Sequence, residues 1–153
     1  MRTIITSFLV VGSFLSAVAQ TEVADIKLPN EKNRVTSISE LRGKVVLIDF
    51  WASWCGPCIR SFPKVKALYD TYKSKGFEVV GVSVDDNQKA WLKAIAENQL
   101  PWKHMIDAKG EVASKWDINF IPQTFLLNKK GELIGKNLSH TDLEQAINQA
   151  LTN

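Results

Sequence analysis

Two cysteines three residues apart, in Trp54-Cys55-Gly56-Pro57-Cys58, stand between an apolar run and an amphipathic one. No other feature constrains the chain as much. The apolar run, Val45-Val46-Leu47-Ile48-Asp49-Phe50-Trp51, reads as a buried strand. Its lack of alternation is the mark of a parallel strand covered on both faces. The segment from Cys55 to Lys75 reads as a helix with an apolar stripe at Phe62, Val65, Leu68 and Tyr72, stopped by Gly76. Pro63 inside it predicts a kink. Cys55 therefore stands at or just before a helix N-terminus, where unpaired backbone N–H groups and the helix dipole favour negative charge. That environment raises the thiolate fraction, and the thiolate is the nucleophile. Cys58 lies nearly one helical turn on, within reach of a short disulfide to Cys55.

These are the chain's only two cysteines among 153 residues. A small secreted domain held by staples has more, at wider spacing, and a bridge across so short a loop adds little chain entropy. The pair is therefore catalytic or redox-sensing rather than architectural. A zinc site needs four ligands, and the only histidines, His104 and His140, are remote from the pair, so no metal is expected.

Residues 1–19 read as a secretory signal. Arg2 is a minimal basic start, Ile4 to Leu15 an apolar stretch, and Ala17-Val18-Ala19 a small-x-small cleavage site before Gln20. The alternative is an uncleaved anchor, but the stretch is short against the roughly 20 residues a span needs. Residues 20–153 are enough for one domain with a real core. At 45% hydrophobic the chain is not disordered, and a formal charge of +3 argues for neither nucleic acid nor an anionic membrane as partner.

Along that domain, Val23 to Leu28 predicts an edge strand or lead-in arm, and Ser37-Ile38-Ser39-Glu40 a capping box opening a short helix that ends at Gly43. Strands are expected at Phe77–Val84, Trp102–Ile106, Gln123–Leu127 and Glu132–Gly135, the last two joined by the turn Asn128-Lys129-Lys130-Gly131. Helices are expected at Gln88–Asn98, within Ala108–Trp116, and from Thr141-Asp142-Leu143-Glu144 onward, with Leu143, Ile147, Ala150 and Leu151 facing inward. Trp91, Trp102 and Trp116 follow apolar faces and are expected in the core. The order β, α, β, α, β, α, β, β, α implies parallel strands with right-handed crossovers and a terminal antiparallel hairpin. That is an α/β fold: a mixed central sheet with helices on both faces.

Asp49-Phe50-Trp51-Ala52-Ser53-Trp54-Cys55-Gly56-Pro57-Cys58 resembles the active-site stretch of thioredoxins, and Leu41-Arg42-Gly43-Lys44-Val45-Val46 before it looks like the TlpA/ResA-like thiol-disulfide oxidoreductases. The resemblance runs from about Val23 to Leu151 and implies a thioredoxin-like fold with an N-terminal extension and a central helix-strand insertion. It implies that Asp49, six residues before Cys55, is a buried acid that trades a proton with Cys58. Burial in an apolar strand should raise its pKa. The lysine that thioredoxins place beside this aspartate is replaced by Gly81, and the acid that ResA-like proteins place three after the second cysteine is replaced by Ser61. Pro122 after Ile121 is similar to the family's cis-proline, which bares the Ile121 backbone to a substrate strand. Trp54, Gly56, Pro57 and Ile121 would form an apolar docking patch. The loop that completes it in thioredoxins contains glycine; here Asn137-Leu138-Ser139-His140 stands in that place.

The chemistry expected is disulfide exchange, Cys55 attacking and Cys58 resolving, without a cofactor. Gly56-Pro57 is the pairing that thioredoxin-type reductants carry. The resemblance thus implies an exported reductase of protein disulfides, in the bacterial periplasm, drawing electrons from a membrane thiol-disulfide carrier and serving cytochrome c maturation in the common family role. Two alternatives remain at this level. A peroxiredoxin needs a threonine two or three residues before the attacking cysteine, where this chain has Ser53-Trp54. A holdase that uses only the apolar patch would not need paired cysteines.

Overall fold

The computed structural model describes residues 23–153; the expected signal, residues 1–19, lies outside them. Two short strands come first, β1 (Lys27–Pro29) and β2 (Val35–Ser37), which pair antiparallel as a separate hairpin. β2 is not visible in the sequence pattern, because it is three residues long and Val35 points to solvent. A 3-10 turn over Ile38–Leu41 follows. Its cap is the expected box: the Ser37 hydroxyl accepts from the Ser39 N–H at 3.1 Å, and Glu40 accepts from the Ser37 N–H at 3.2 Å.

The main sheet holds β3 (Val45–Trp51), β4 (Phe77–Ser83), β5 (Lys103–Ile106), β6 (Gln123–Leu127) and β7 (Leu133–Lys136). Their order is β5-β4-β3-β6-β7. β3–β4 and β4–β5 are parallel, while β3–β6 and β6–β7 are antiparallel. β3 and β4 lie at the centre with every residue buried, as the unbroken apolar run of β3 requires.

Because side chains alternate along a strand, the sheet divides the core in two. Val45, Leu47 and Trp51 face the layer formed by α1 (Gly56–Tyr72), α2 (Gln88–Glu97) and α4 (His140–Thr152). Val46, Ile48 and Phe50 face the hairpin, the 3-10 turn and the short α3 (Glu111–Lys115). Helices thus cover both faces unequally, the three long ones on one side. Of the three tryptophans expected in the core, Trp91 and Trp102 are buried on the long-helix side. Trp116 is half-buried on the other, edge-on to Phe125 at 5.1 Å.

Pro63 lies inside α1, at the place of the expected kink. One further expectation is corrected. The last helix is capped by Ser139, not Thr141: the Ser139 hydroxyl accepts from the Asp142 N–H at 3.2 Å and donates to the Asp142 carboxylate at 2.6 Å. No helix among the described residues is long and apolar enough to cross a membrane.

Candidate active site

β3 delivers the dithiol and α1 receives it. After Trp51 the chain turns tightly, with the Cys55 N–H bonded to the Ala52 carbonyl at 3.0 Å. Cys55 is the N-cap of α1, and its sulfur accepts from the Cys58 N–H at 3.2 Å. The sulfur therefore occupies the place where a helix holds an anion. Pro57, in the first turn, has no N–H to satisfy. Cys55 and Cys58 are joined as a disulfide. Cys55 lies at the rim, 4% exposed, and Cys58 is fully covered.

Two residues not singled out in the sequence adjoin this turn, and one of them, Asp85, holds it. Asp85, 1% exposed at the end of β4, accepts from the Ser53 N–H at 2.8 Å, the Ser53 hydroxyl at 2.6 Å and the Ser83 hydroxyl at 2.6 Å. It ties the loop before Cys55 to the neighbouring strand. In the sequence Asp85 reads only as a polar stop after β4; the serines that make it an anchor lie 32 and two residues away. Arg60 folds back along the first turn of α1. Its Nη1 would stand 3.3 Å from a Cβ at Gly56, the residue that follows Cys55.

Asp49 lies on the face of β3 that also carries Leu47 and Trp51, which share one apolar cluster with Cys55 and Cys58. It is fully buried, and its Oδ1 has no hydrogen-bond partner in the protein. Burial in apolar surroundings pushes its pKa from 3.8 up to about 7. Its register neighbours are Gly81 on β4 and Thr124 on β6, so no lysine adjoins it. The Ser61 hydroxyl donates to the Cys58 carbonyl at 2.7 Å.

The expected docking residues surround the same turn. Trp54 is 69% exposed, Pro57 is exposed, and Gly56 and Ile121 are half-buried. Ile121 packs against the cluster that holds the cysteines, and the Ile121–Pro122 bond is cis. Phe120, 61% exposed, adds an aromatic surface that the sequence pattern did not single out, since a lone phenylalanine in a loop carries no period. A groove of about 400 Å³ runs beside α1, lined by Ser61, Val65, Phe120, Pro122, Leu138 and Leu143. Asn137 supports its wall without glycine. It adopts a left-handed φ of 51°, which asparagine tolerates, and clamps Thr124 of β6 through Asn137 N–H to Thr124 C=O and Thr124 N–H to Asn137 Oδ1, both 2.8 Å. No group of three or more metal-ligating side chains occurs among the described residues.

The arrangement is that of a dithiol–disulfide exchanger: one sulfur at the rim of a helix N-terminus, its partner covered, and a buried acid beneath. Comparison with known proteins agrees. A family model described as Redoxin matches residues 18–151. The thiol-disulfide oxidoreductase ResA of Geobacillus kaustophilus is 32% identical over 124 residues, covering 79% of this chain and 71% of that protein. Among solved structures, a thiol:disulfide interchange protein DsbE from Chlorobium tepidum superposes with a TM-score of 0.79 at 33% identity, over 85% of this chain and 95% of that one. The C-terminal domain of a thiol-disulfide oxidoreductase from Bacteroides thetaiotaomicron gives a TM-score of 0.81 at 30% identity, over 87% and 95%.

Proposed function

The chain belongs to the Redoxin family, as a TlpA/ResA-like thiol-disulfide oxidoreductase of the thioredoxin superfamily, and on that premise we propose that it is an exported reductase of protein disulfides. The observation that carries this reading is the division of labour between the two sulfurs. Cys55 caps α1 at the protein rim, and Cys58 is sealed behind it.

In the proposed cycle the Cys55 thiolate attacks one sulfur of a substrate disulfide and expels the other as a thiolate, which takes a proton from water. Asp49 removes the Cys58 proton, and the Cys58 thiolate then attacks Cys55. The substrate leaves with both sulfurs reduced, and the protein is left with the Cys55–Cys58 disulfide. An acid whose pKa is about 7 is matched to taking and returning a proton near neutral pH. Trp54, Gly56, Pro57 and Ile121 form the patch on which the substrate lies, with Pro122 and the groove beside α1 receiving the chain that flanks its cysteine.

The apolar, basic-started residues 1–19 support export to the periplasm. There the two electrons for each turnover come from a membrane thiol-disulfide carrier, because no cytosolic donor reaches that compartment. Gly56-Pro57 supports the reducing direction, and the kinship with ResA-like proteins supports a haem-binding Cys-x-x-Cys-His substrate in cytochrome c maturation. Expressing Cys58→Ser in the native cell and identifying the trapped partners tests this. A mixed disulfide between Cys55 and a secreted Cys-x-x-Cys protein is expected. Trapping only cytosolic partners, or none, would refute the reading.

A further inference from the structure

Asp49, Gly81 and His104 form one row across the sheet. Asp49 pairs in register with Gly81, and Gly81 with His104. All three positions belong to the face that carries Trp51 and Trp102, whose rings stand 6.3 and 6.1 Å from the imidazole. Gly81 has no side chain, and the nearest atoms over it are ring nitrogens. A Cβ placed there would stand 2.9 Å from His104 Nδ1, 2.9 Å from Trp51 Nε1 and 3.3 Å from Trp102 Nε1. The rings thus turn polar edges, not carbon edges, toward the glycine. Asp49 is one strand spacing from that glycine, about 4.8 Å between backbones.

These groups are deeply buried: Asp49, Trp51 and His104 are each 1% exposed. Asp49 Oδ1, Trp51 Nε1 and both His104 nitrogens lack a hydrogen-bond partner in the protein. Two of these atoms, Trp51 Nε1 and His104 Nδ1, converge on one glycine beside Asp49, which is not the pattern of an apolar core.

We propose that His104 is a positioning residue for Asp49, supplying with the Trp51 indole N–H the hydrogen bonds that hold the carboxylate in its ionised form, ready to take the proton of Cys58. The proposal rests on the proton-accepting role given to Asp49 above. A neutral imidazole and an indole each offer one N–H. Donors to the charged form favour it, so losing them raises the Asp49 pKa further. Burial keeps the imidazole neutral, its pKa lowered from 6.5 to about 4; the Leu100 carbonyl opposes this weakly, without good hydrogen-bond geometry to either nitrogen. The charged groups nearest this row are Glu78 and Lys103, which line one cleft with Tyr69, Trp102 and His104. α1 offers this face Cys58 and, beyond the Trp102 ring, Tyr69; α2 offers Trp91 and Ala94; Glu78 and Lys103 alternate to the opposite face, and Glu78 pairs with Lys44 at 3.4 Å.

The test is an NMR titration of the Asp49 carboxyl carbon in the oxidised protein. In His104→Phe, which keeps the ring volume, the midpoint should rise by about one pH unit, and the pH profile of mixed-disulfide resolution should move with it. His104→Gln, which keeps a donor, should restore both toward wild type. An unchanged midpoint in His104→Phe would refute the proposal, and so would equal shifts in the two variants, which would mean packing alone. If His104→Phe does not fold, Gly81→Ala, whose Cβ displaces both ring nitrogens, must raise the midpoint; no rise would refute it equally. The titration needs no turnover. Asp49→Asn resolving mixed disulfides at the wild-type rate would therefore remove the catalytic role of Asp49 without touching this readout.

Discussion

Asp49→Asn should alter the pH dependence of stability rather than the fold. The unfolded chain releases the Asp49 proton near 3.8, while the folded protein holds it to about 7. Between those values the native state binds more protons, so unfolding free energy falls as pH rises, by about 1.4 kcal/mol per unit and about 4 kcal/mol in all. His104 works against it. Its pKa falls from 6.5 to about 4 on folding, so its contribution rises with pH over that window, by about 3 kcal/mol. In wild type the two slopes nearly cancel from pH 4 to 6.5. Asparagine removes one of them. The variant should therefore match wild type near pH 4, gain about 1.4 kcal/mol on it per unit, and stay about 4 kcal/mol ahead above pH 7. Asp25, whose pKa is lowered by its bonds to Ser37 and Ser39 although its partial burial opposes this, is unchanged between the two proteins and drops out of the difference. Urea unfolding of the oxidised proteins at each unit from pH 4 to 8 measures it. A constant gap across that range would refute a buried, proton-retaining Asp49.

In the reduced protein, iodoacetamide near neutral pH should label Cys55 well before Cys58, as rim and covered positions require; peptide mass spectrometry reads the order, and faster labelling of Cys58 would reverse the assignment. Asp85→Ala should cost on the order of 3 kcal/mol, from the loss of buried bonds to a charged group, and slow disulfide exchange by loosening Ser53; denaturant unfolding and insulin-reduction rates check both effects. Arg60→Gln should slow attack by Cys55 at low salt, and the difference should shrink at 1 M salt, where the Debye length is about 3 Å; a salt-independent difference would show that Arg60 does not act by charge.

What was legible in the sequence follows from what local pattern encodes. The run Val45–Trp51 has no polar face, so its central, doubly covered place in the sheet could be read directly. Gly76 announced its left-handed helix stop, at φ 99°. The dithiol was legible because Cys55 and Cys58 depend only on the helix start beside them. Features built from distant parts were not. β2 exists only through its pairing with β1. Ser139 and Thr141 are both capping residue types, and only where the chain enters the helix shows that Ser139 is the one that caps it. The alternation of Trp102, His104 and Ile106 points to one buried face, yet nothing local says that the face opens onto the glycine paired with Asp49 on the neighbouring strand. The departures at Gly81 and Ser61 were visible; that two ring nitrogens crowd the place of the absent lysine was not.

The central claim is that Cys55 attacks and Cys58 resolves. Insulin reduction under a regenerating thiol measures this directly, with wild type, Cys55→Ser and Cys58→Ser compared. Wild type should turn over repeatedly, and Cys55→Ser should do nothing. Cys58→Ser should form one mixed disulfide per molecule through Cys55 and stop, until the regenerating thiol releases it. Sustained turnover by Cys55→Ser, or a mixed disulfide found on Cys58 in wild type, would contradict the account.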